Sequence, residues 1–257
     1  MNYFNLTEIP EDDVPMEQFL RIVQRYSFSY THSQNKNILE IGSGPGIGAN
    51  LLSKNAKSYK GIDADKNLVE IALKNNPQIN FETISDKDFF LKNHKKFDLI
   101  IIYETIYYIE DLKNLFLKIY DTLSSNGLVI ICTANKNLLD FNPSIKTYVY
   151  PDILDIKILS NDKFNILSYY GGVALNKVSF RQKILRPLKF LASKLNLIPK
   201  DMKGKKFLKR LFFGNHFTKM PKNSEYNENS LKKMKKLDIN NKDTKHKVLY
   251  FVLEKKN

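Results

Sequence analysis

Four of the chain's ten glycines fall within seven residues, as Gly42, Gly44, Gly46 and Gly48 of "EIGSGPGIG" (40–48), directly after the apolar pair Ile38-Leu39. Glycine lets a main chain turn through positive φ and approach another group with no Cβ in the way. A turn of this kind leading into a helix also presents free N–H groups to a ligand. Two acids flank the device. Glu40 opens the run, and Asp63 closes "SYKGID" seventeen residues beyond Gly46. A carboxylate at a strand tip accepts two neighbouring hydroxyls in paired, charge-assisted hydrogen bonds.

Other residues with reactive side chains are scattered. Tyr107 and Tyr108 follow the most apolar stretch, "FDLIIIY" (97–103). Their hydroxyls suit binding and orientation better than proton abstraction, since a phenol ionises near 10. Of the histidines His32, His94, His216 and His246, only His216 in "FGNHFTK" is a candidate base. Cys132 is the lone cysteine, so no internal disulfide forms, and within "LVIICTAN" it reads as a small buried hydrophobe. No metal site is expected.

The elements that must position these residues follow from periodicity. "VPMEQFLRIVQRY" (14–26) reads as an amphipathic helix, "NILEI" (37–41) as a buried strand and "IGANLLSKN" (47–55) as a helix. "SYKGID" (58–63), "INFETI" (79–84), "FDLIIIY" (97–103), "GLVIICTA" (127–134) and "FNILSYY" (164–170) read as strands. "KNLVEIALKNN" (66–76), "DLKNLFLKIYDTL" (111–123) and "PDILDIKILS" (151–160) read as helices. Such alternation predicts βαβ units, a parallel sheet and helices on both faces. Ligands of such sheets bind beyond the carboxyl ends of the strands. The glycines alone leave two ligand classes open, dinucleotides and S-adenosylmethionine, because Gly44-x-Gly46-x-x-Ala49 satisfies the dinucleotide pattern.

"ILEIGSGPGIG", "YKGIDAD", "FDLIIIYETIYYIED" and "LSSNGLVIICTANK" together resemble class I S-adenosylmethionine-dependent methyltransferases, in order and spacing, over about residues 36–135. The resemblance implies an α/β, Rossmann-like, seven-stranded and mostly parallel sheet whose last strand runs antiparallel, for which "KVLYFVLE" (247–254) is the candidate. It implies S-adenosylmethionine as cofactor, held by Glu40, Gly42, Gly44, Gly46, Asp63 and its neighbour Ala64. Ser85 or Asp86 would meet the adenine edge, Tyr103 would stand at the strand end, and Arg25 would clamp the cofactor carboxylate. Asp65, directly before "KNLVEI", reads instead as a helix cap. Tyr107, Tyr108, Asn135 and Lys136 are the acceptor-side candidates, and many relatives carry His where this chain has Tyr107-Tyr108.

The net charge of +14 is concentrated: between Lys177 and Lys222 stand fourteen Lys or Arg and one acid, Asp201. The chain therefore reads as one domain, 1–257, with a basic, largely helical insertion (175–244) before the last strand, acting as a substrate cover. "RYSFSY", "YETIYYIED", "NKNLLDFNPS", "LIPKDMKGKKFLKRLFFGN" and "MPKNSE" resemble a bacterial subgroup encoded near surface-polysaccharide genes. That resemblance implies O-methylation of a small acceptor, anionic or saccharide-linked, including phosphorylated or phosphoramidate-bearing capsule precursors. A positive cover suits an anion. An RNA or DNA methyltransferase is the alternative, although "YETI" stands where amino-directed enzymes carry a polar-Pro-Pro-aromatic motif. A membrane-associated module using the basic amphipathic stretches is a third reading. No stable nucleic-acid partner is expected. With no 18-residue apolar run and no secretion-type N-terminus, a cytoplasmic location is expected.

Overall fold

The computed structural model describes residue 7 and residues 9–144, 146–174 and 217–256. The elements run β1 (Asp13–Pro15), α1 (Met16–Tyr30), β2 (Asn37–Ile41), α2 (Ala49–Ser53), β3 (Ser58–Asp63), α3 (Lys66–Asn75), β4 (Asn80–Thr83), α4 (Asp86–Lys92) and β5 (Phe97–Tyr103). They continue through a 3₁₀ turn (Ile106–Tyr108), α5 (Leu112–Thr122), β6 (Leu123–Ala134), α6 (Ile153–Ser160), β7 (Phe164–Ala174) and β8 (Phe217–Lys219). A four-residue helix α7 (Glu228–Leu231), β9 (Lys235–Lys236) and β10 (His246–Lys255) complete the order.

The main sheet has the order β4-β3-β2-β5-β6-β10-β7-β9. Strands β2 to β6 pair in parallel. β10 inserts between β6 and β7 and runs antiparallel to both. The anticipated seven strands and the antiparallel last strand are thus present, and the eighth strand, β9, is a two-residue addition on the edge of β7. β5 is central because Leu99, Ile100, Ile101 and Ile102 are wholly buried between helices on both faces.

The two faces build two cores. On one, α1, α2 and α3 bring Ile22, Tyr26, Leu52 and Ala72 onto Ile38 and Ile101. On the other, α4, α5 and α6 bring Phe89, Leu115, Phe116 and Ile153 onto Ile100 and Ile102. Several boundaries differ from the periodic reading. Val14 and Pro15 belong to β1, which pairs with β8, and α1 runs on to Tyr30 because Ser27, Phe28 and Ser29 remain buried. α4 was not anticipated; Ser85 starts it by accepting a hydrogen bond from the Asp88 N–H. Asp65 caps α3 through the Asn67 N–H, as its position suggested.

Of the segment 175–244, residues 175–216 lie outside the described residues, with most of the basic charge and His216. The described remainder holds β8, α7 and β9. α7 is tied to α1, where the Gln24 amide donates to the Ser230 carbonyl at 2.8 Å and the Asn227 N–H donates to Ser27 Oγ at 2.9 Å. Among the described residues no helix is long and apolar enough to cross a membrane.

Gly48 shows why the glycine run is needed for packing as well as for ligand approach. A Cβ there would lie 1.9 Å from the Tyr26 ring. Gly48→Ala is expected to destabilise the fold by about 1–3 kcal/mol through overpacking, read as a lower urea midpoint at unchanged slope. An unmoved midpoint would mean the Tyr26 ring does not rest on this loop.

Candidate active site

At the carboxyl ends of β2, β3 and β5 lies a cavity of about 250 Å³, walled by the glycine loop, the β3 and β5 ends, and one side of α1. Gly42 and Gly44 line it, both at positive φ, +73° and +53°. Gly42 is there because Thr105 fills the space a side chain would take: a Cβ would meet Thr105 Oγ1 at 2.1 Å. At Gly44 a Cβ would meet only Thr7, at 3.7 Å, and the residue donates its N–H to Asp63 Oδ2 at 2.9 Å. The second oxygen, Oδ1, accepts the Asp65 N–H at 2.9 Å. One carboxylate therefore joins the two turns. Burial pushes the Asp63 carboxyl above its usual range, and the two N–H donors oppose that rise.

Ala64, Asp86, Arg25 and Tyr103 also line the cavity. The Tyr103 hydroxyl is held by the Arg25 carbonyl at 2.9 Å and by Ser29 Oγ, which joins the end of β5 to α1. Asp86 stands in the first turn of α4, and its carboxyl is raised by burial. Ser85, the alternative to Asp86, is occupied as the α4 cap and is not in the wall.

Two residues expected at the cofactor sit behind it. Glu40 is 1% exposed and absent from the wall. Its two oxygens accept the hydroxyls of Tyr26 at 2.9 Å and Tyr59 at 2.5 Å. Side chains alternate along a strand, so Glu40 points into the layer beneath the cavity while its neighbour Ile41 reaches the wall. Gly46 also packs inward, where a Cβ would meet the Phe81 ring at 2.8 Å.

The acceptor-side candidates divide in the same way. Tyr107 and Tyr108 line the cavity. Tyr107 is buried, stacked on Tyr150 with ring centroids 4.3 Å apart, and donates its hydroxyl to Glu104 Oε2 at 2.8 Å. Burial and the nearby Glu104 hold that phenol well above its ordinary value, so it acts as a donor and not as a base. Asn135 and Lys136 are not in the wall. Asn135 is fully buried and donates to the Asp243 and His246 carbonyls, both at 2.9 Å. Lys136 pairs with Asp152 at 3.5 Å and with Asp155 at the start of α6. Both face the β10 and α6 side of the sheet, which the linear sequence did not reveal.

Glu104 was missed. It follows the last residue of β5, adopts φ +52°, and lines the cavity. A positive φ at a non-glycine residue costs of order 1 kcal/mol and persists where surrounding structure imposes it. Its Oε1 is buried without a hydrogen-bond partner. An acid ending the most apolar strand was the available signal. Cys132 is buried, as expected, with its thiol pushed upward by burial. His246 is buried against Asp243 at 2.9 Å, away from the cavity, and no group of His, Cys, Asp and Glu suited to a metal occurs among the described residues.

The family model described as a methyltransferase domain matches residues 14–176. The chain belongs to the methyltransferase-domain family. Among curated proteins, the chain is 31% identical over 121 residues to the ubiquinone biosynthesis O-methyltransferase of Pelagibacter ubique, covering 46% of the chain and 47% of the relative. It is 29% identical over 119 residues to the protein of that name from Rickettsia typhi, covering 45% and 48%. The chain thus matches about half the length of these relatives. Among solved structures, the putative sarcosine dimethylglycine methyltransferase of Galdieria sulphuraria aligns with a TM-score of 0.54 at 13% identity, covering 91% of this chain and 85% of that one. The plantazolicin methyltransferase BpumL, solved with S-adenosylhomocysteine, aligns with a TM-score of 0.51 at 17% identity, covering 93% and 86%. These two establish the likeness of fold.

The buried Glu40 gives the chain a measurable pH signature. Burial raises its carboxyl from 4.5 to about 7, with the two tyrosine hydroxyls opposing the rise. In that window the folded chain holds a proton that the unfolded chain has released, so the contribution of Glu40 to stability is fully present below 4.5 and is lost as pH rises to about 7. The loss is on the order of 3 kcal/mol. Urea midpoints at pH 4.5 and 7.5 should show this fall in the wild type and a much flatter response in Glu40→Gln. An equal slope in both would remove Glu40 as its source.

Proposed function

We propose that the chain is an S-adenosylmethionine-dependent O-methyltransferase acting on a small-molecule acceptor. The observation that carries this reading is the Asp63 carboxylate fixed by the Gly44 N–H at the wall of one cavity. The residues present fit the cofactor. Asp63 keeps lone pairs on both oxygens to accept two vicinal ribose hydroxyls, since a carboxylate offers about four acceptor sites. Ala64, Ile84 and Asp86 form the wall beyond it, where an adenine ring would rest with its amino edge toward the Asp86 carboxylate. Arg25, on α1 across the cavity, supplies a guanidinium for the cofactor's carboxylate.

When bound, the cofactor supplies an electrophilic methyl group on a sulfonium. What this chain contributes is placement: it holds the acceptor at the ends of β2 and β5, and positioning provides most of the gain in such a displacement. Neither tyrosine of the 3₁₀ turn takes a proton in this reading; Tyr107 orients Glu104, and Tyr108 forms wall. The O-directed assignment is supported by the names of the two curated relatives. An acceptor from surface-polysaccharide synthesis has no support among those relatives, and the longest stretch carrying that resemblance, 197–215, lies outside the described residues. The anionic acceptor and the nucleic-acid reading both rest on the same basic segment. The reading offered is a small hydroxyl acceptor, supported by the names of those relatives.

Calorimetry on the full chain tests the reading. S-adenosylhomocysteine should give a binding heat and NADH none. Asp63→Asn should weaken S-adenosylhomocysteine about 10- to 100-fold, the range for lost hydrogen bonds to a charged group. Arg25→Ala should weaken it about tenfold. Heat with NADH and none with S-adenosylhomocysteine would replace this reading with a dinucleotide one.

A further inference from the structure

We infer that Arg21 determines acceptor specificity by taking an oxyanion, a carboxylate or phosphate, that the acceptor carries beside its hydroxyl. This rests on the methyltransferase reading and adds a substrate class to it. It does not draw on the basic segment. Gln18, Arg21, Ile22 and Arg25 line the cavity from α1, at the three- and four-residue spacing of neighbours on one helix face. Two guanidinium groups therefore stand one turn apart in the same wall. Like charges four residues apart on a helix repel, and the cofactor brings a single carboxylate, which Arg25 serves.

The acids of the cavity have partners elsewhere. Asp63 is engaged by the N–H groups of Gly44 and Asp65, and Glu104 by the Tyr107 hydroxyl. Asp86 sits in the first turn of α4, where its own N–H and that of Lys87 favour the carboxylate. Among the described residues, Arg21 has its ion pair with Glu17, from Nη2 at 3.4 Å. That is longer than the roughly 2.7–2.9 Å of a well-formed charged hydrogen bond. The same carboxylate is held more closely by Lys247, whose Nζ lies 2.8 Å from Oε1 and 2.7 Å from Oε2. Glu17 is thus shared, and its shorter contacts go to the lysine. The Arg21 side chain is 28% exposed, so a ligand in the cavity can reach it. A planar guanidinium grips a carboxylate or phosphate through two parallel N–H bonds.

Position assigns Arg21 to the acceptor side. The sheet order β4-β3-β2-β5-β6-β10 sets the ribose and adenine wall, at the ends of β3 and β4, on one side of β5. Arg25 stands at β5 itself, where its carbonyl accepts the Tyr103 hydroxyl. One turn earlier in α1 the helix passes to the other side. Glu17 there is bound to Lys247 of β10, and the next residue, Val248, pairs with Ala134 at the end of β6. Arg21 lies between these two anchors, close enough to Cys132 of β6 to favour its thiolate. An oxyanion on Arg21 therefore fixes the acceptor from the side away from the ribose.

The test uses the full chain saturated with S-adenosylhomocysteine and three probes followed by fluorine NMR titration: 4-fluorobenzoate, 4-fluorophenyl phosphate and the neutral 4-fluorobenzamide. The wild type should bind at least one oxyanion about tenfold more tightly than the amide. The tighter of the two identifies the source as carboxylate or phosphate. Arg21→Gln should erase about tenfold of the preference, and Arg21→Lys, with the charge but not the fork, should recover part of it. Glu17→Gln removes the competing carboxylate and should strengthen the oxyanion about threefold, a gain that vanishes in the Glu17→Gln, Arg21→Gln double variant. Affinity for S-adenosylhomocysteine should stay within about twofold throughout, in contrast to Arg25→Ala. Equal binding of all three probes, binding of none, or a preference unchanged in Arg21→Gln would each overturn the inference. A tenfold loss of S-adenosylhomocysteine in Arg21→Gln with the probe ratio intact would give Arg21 to the cofactor and overturn it as well. A structural Arg21 would lower the melting temperature and shift the three probes together, which also overturns it. Failure of the wild type to bind S-adenosylhomocysteine is a separate outcome: it removes the cofactor reading first, and the acceptor inference with it.

Discussion

The buried carboxylate of Glu40 is the constraint on which the site's geometry depends. It sits on β2 under the glycine loop and accepts one hydroxyl from α1 and one from β3. A carboxylate this deep is costly without hydrogen bonds, so Tyr26 and Tyr59 cannot move away from it cheaply. Tyr26 must then lie across Gly48, which fixes the loop against α1. Tyr59 keeps β3 in register, and β3 ends at Asp63. Helix, loop and strand tip therefore arrive at the cavity in one arrangement.

The site is built in two layers from this base. Beneath the wall, Glu40, Gly46 and Phe81 pack the turns. In the wall, Gly42 and Gly44 bring the main chain close, and Asp63 and Glu104 bring carboxylates. The division explains why one glycine run serves two purposes. Gly42 and Gly48 make room for Thr105 and Tyr26, whereas Gly44 takes a positive φ that lets its N–H reach Asp63. The second core, with α4, α5 and α6, supports the 3₁₀ turn and so the Glu104–Tyr107 pair.

The curated relatives align over about half their length, and the solved structures align over most of this chain at low identity. The wall after β5 carries Glu104, Tyr107 and Tyr108.

What the linear order determined was local. Strand and helix alternation, the glycine turn, the cap at Asp65 and the placing of Asp63 all follow from periodicity and near neighbours, because each needs only a few consecutive residues. The tertiary structure decided what depends on distant partners. β1 and β9 exist only through pairing with β8 and β7. Asn135 and Lys136 turn to Asp243, His246 and Asp155 instead of the cavity. Glu40 drops behind the wall because two tyrosines, 14 and 19 residues away, reach it from opposite sides. Glu104 gains its character from an oxygen left without a donor, a property of the three-dimensional surroundings that no residue type encodes.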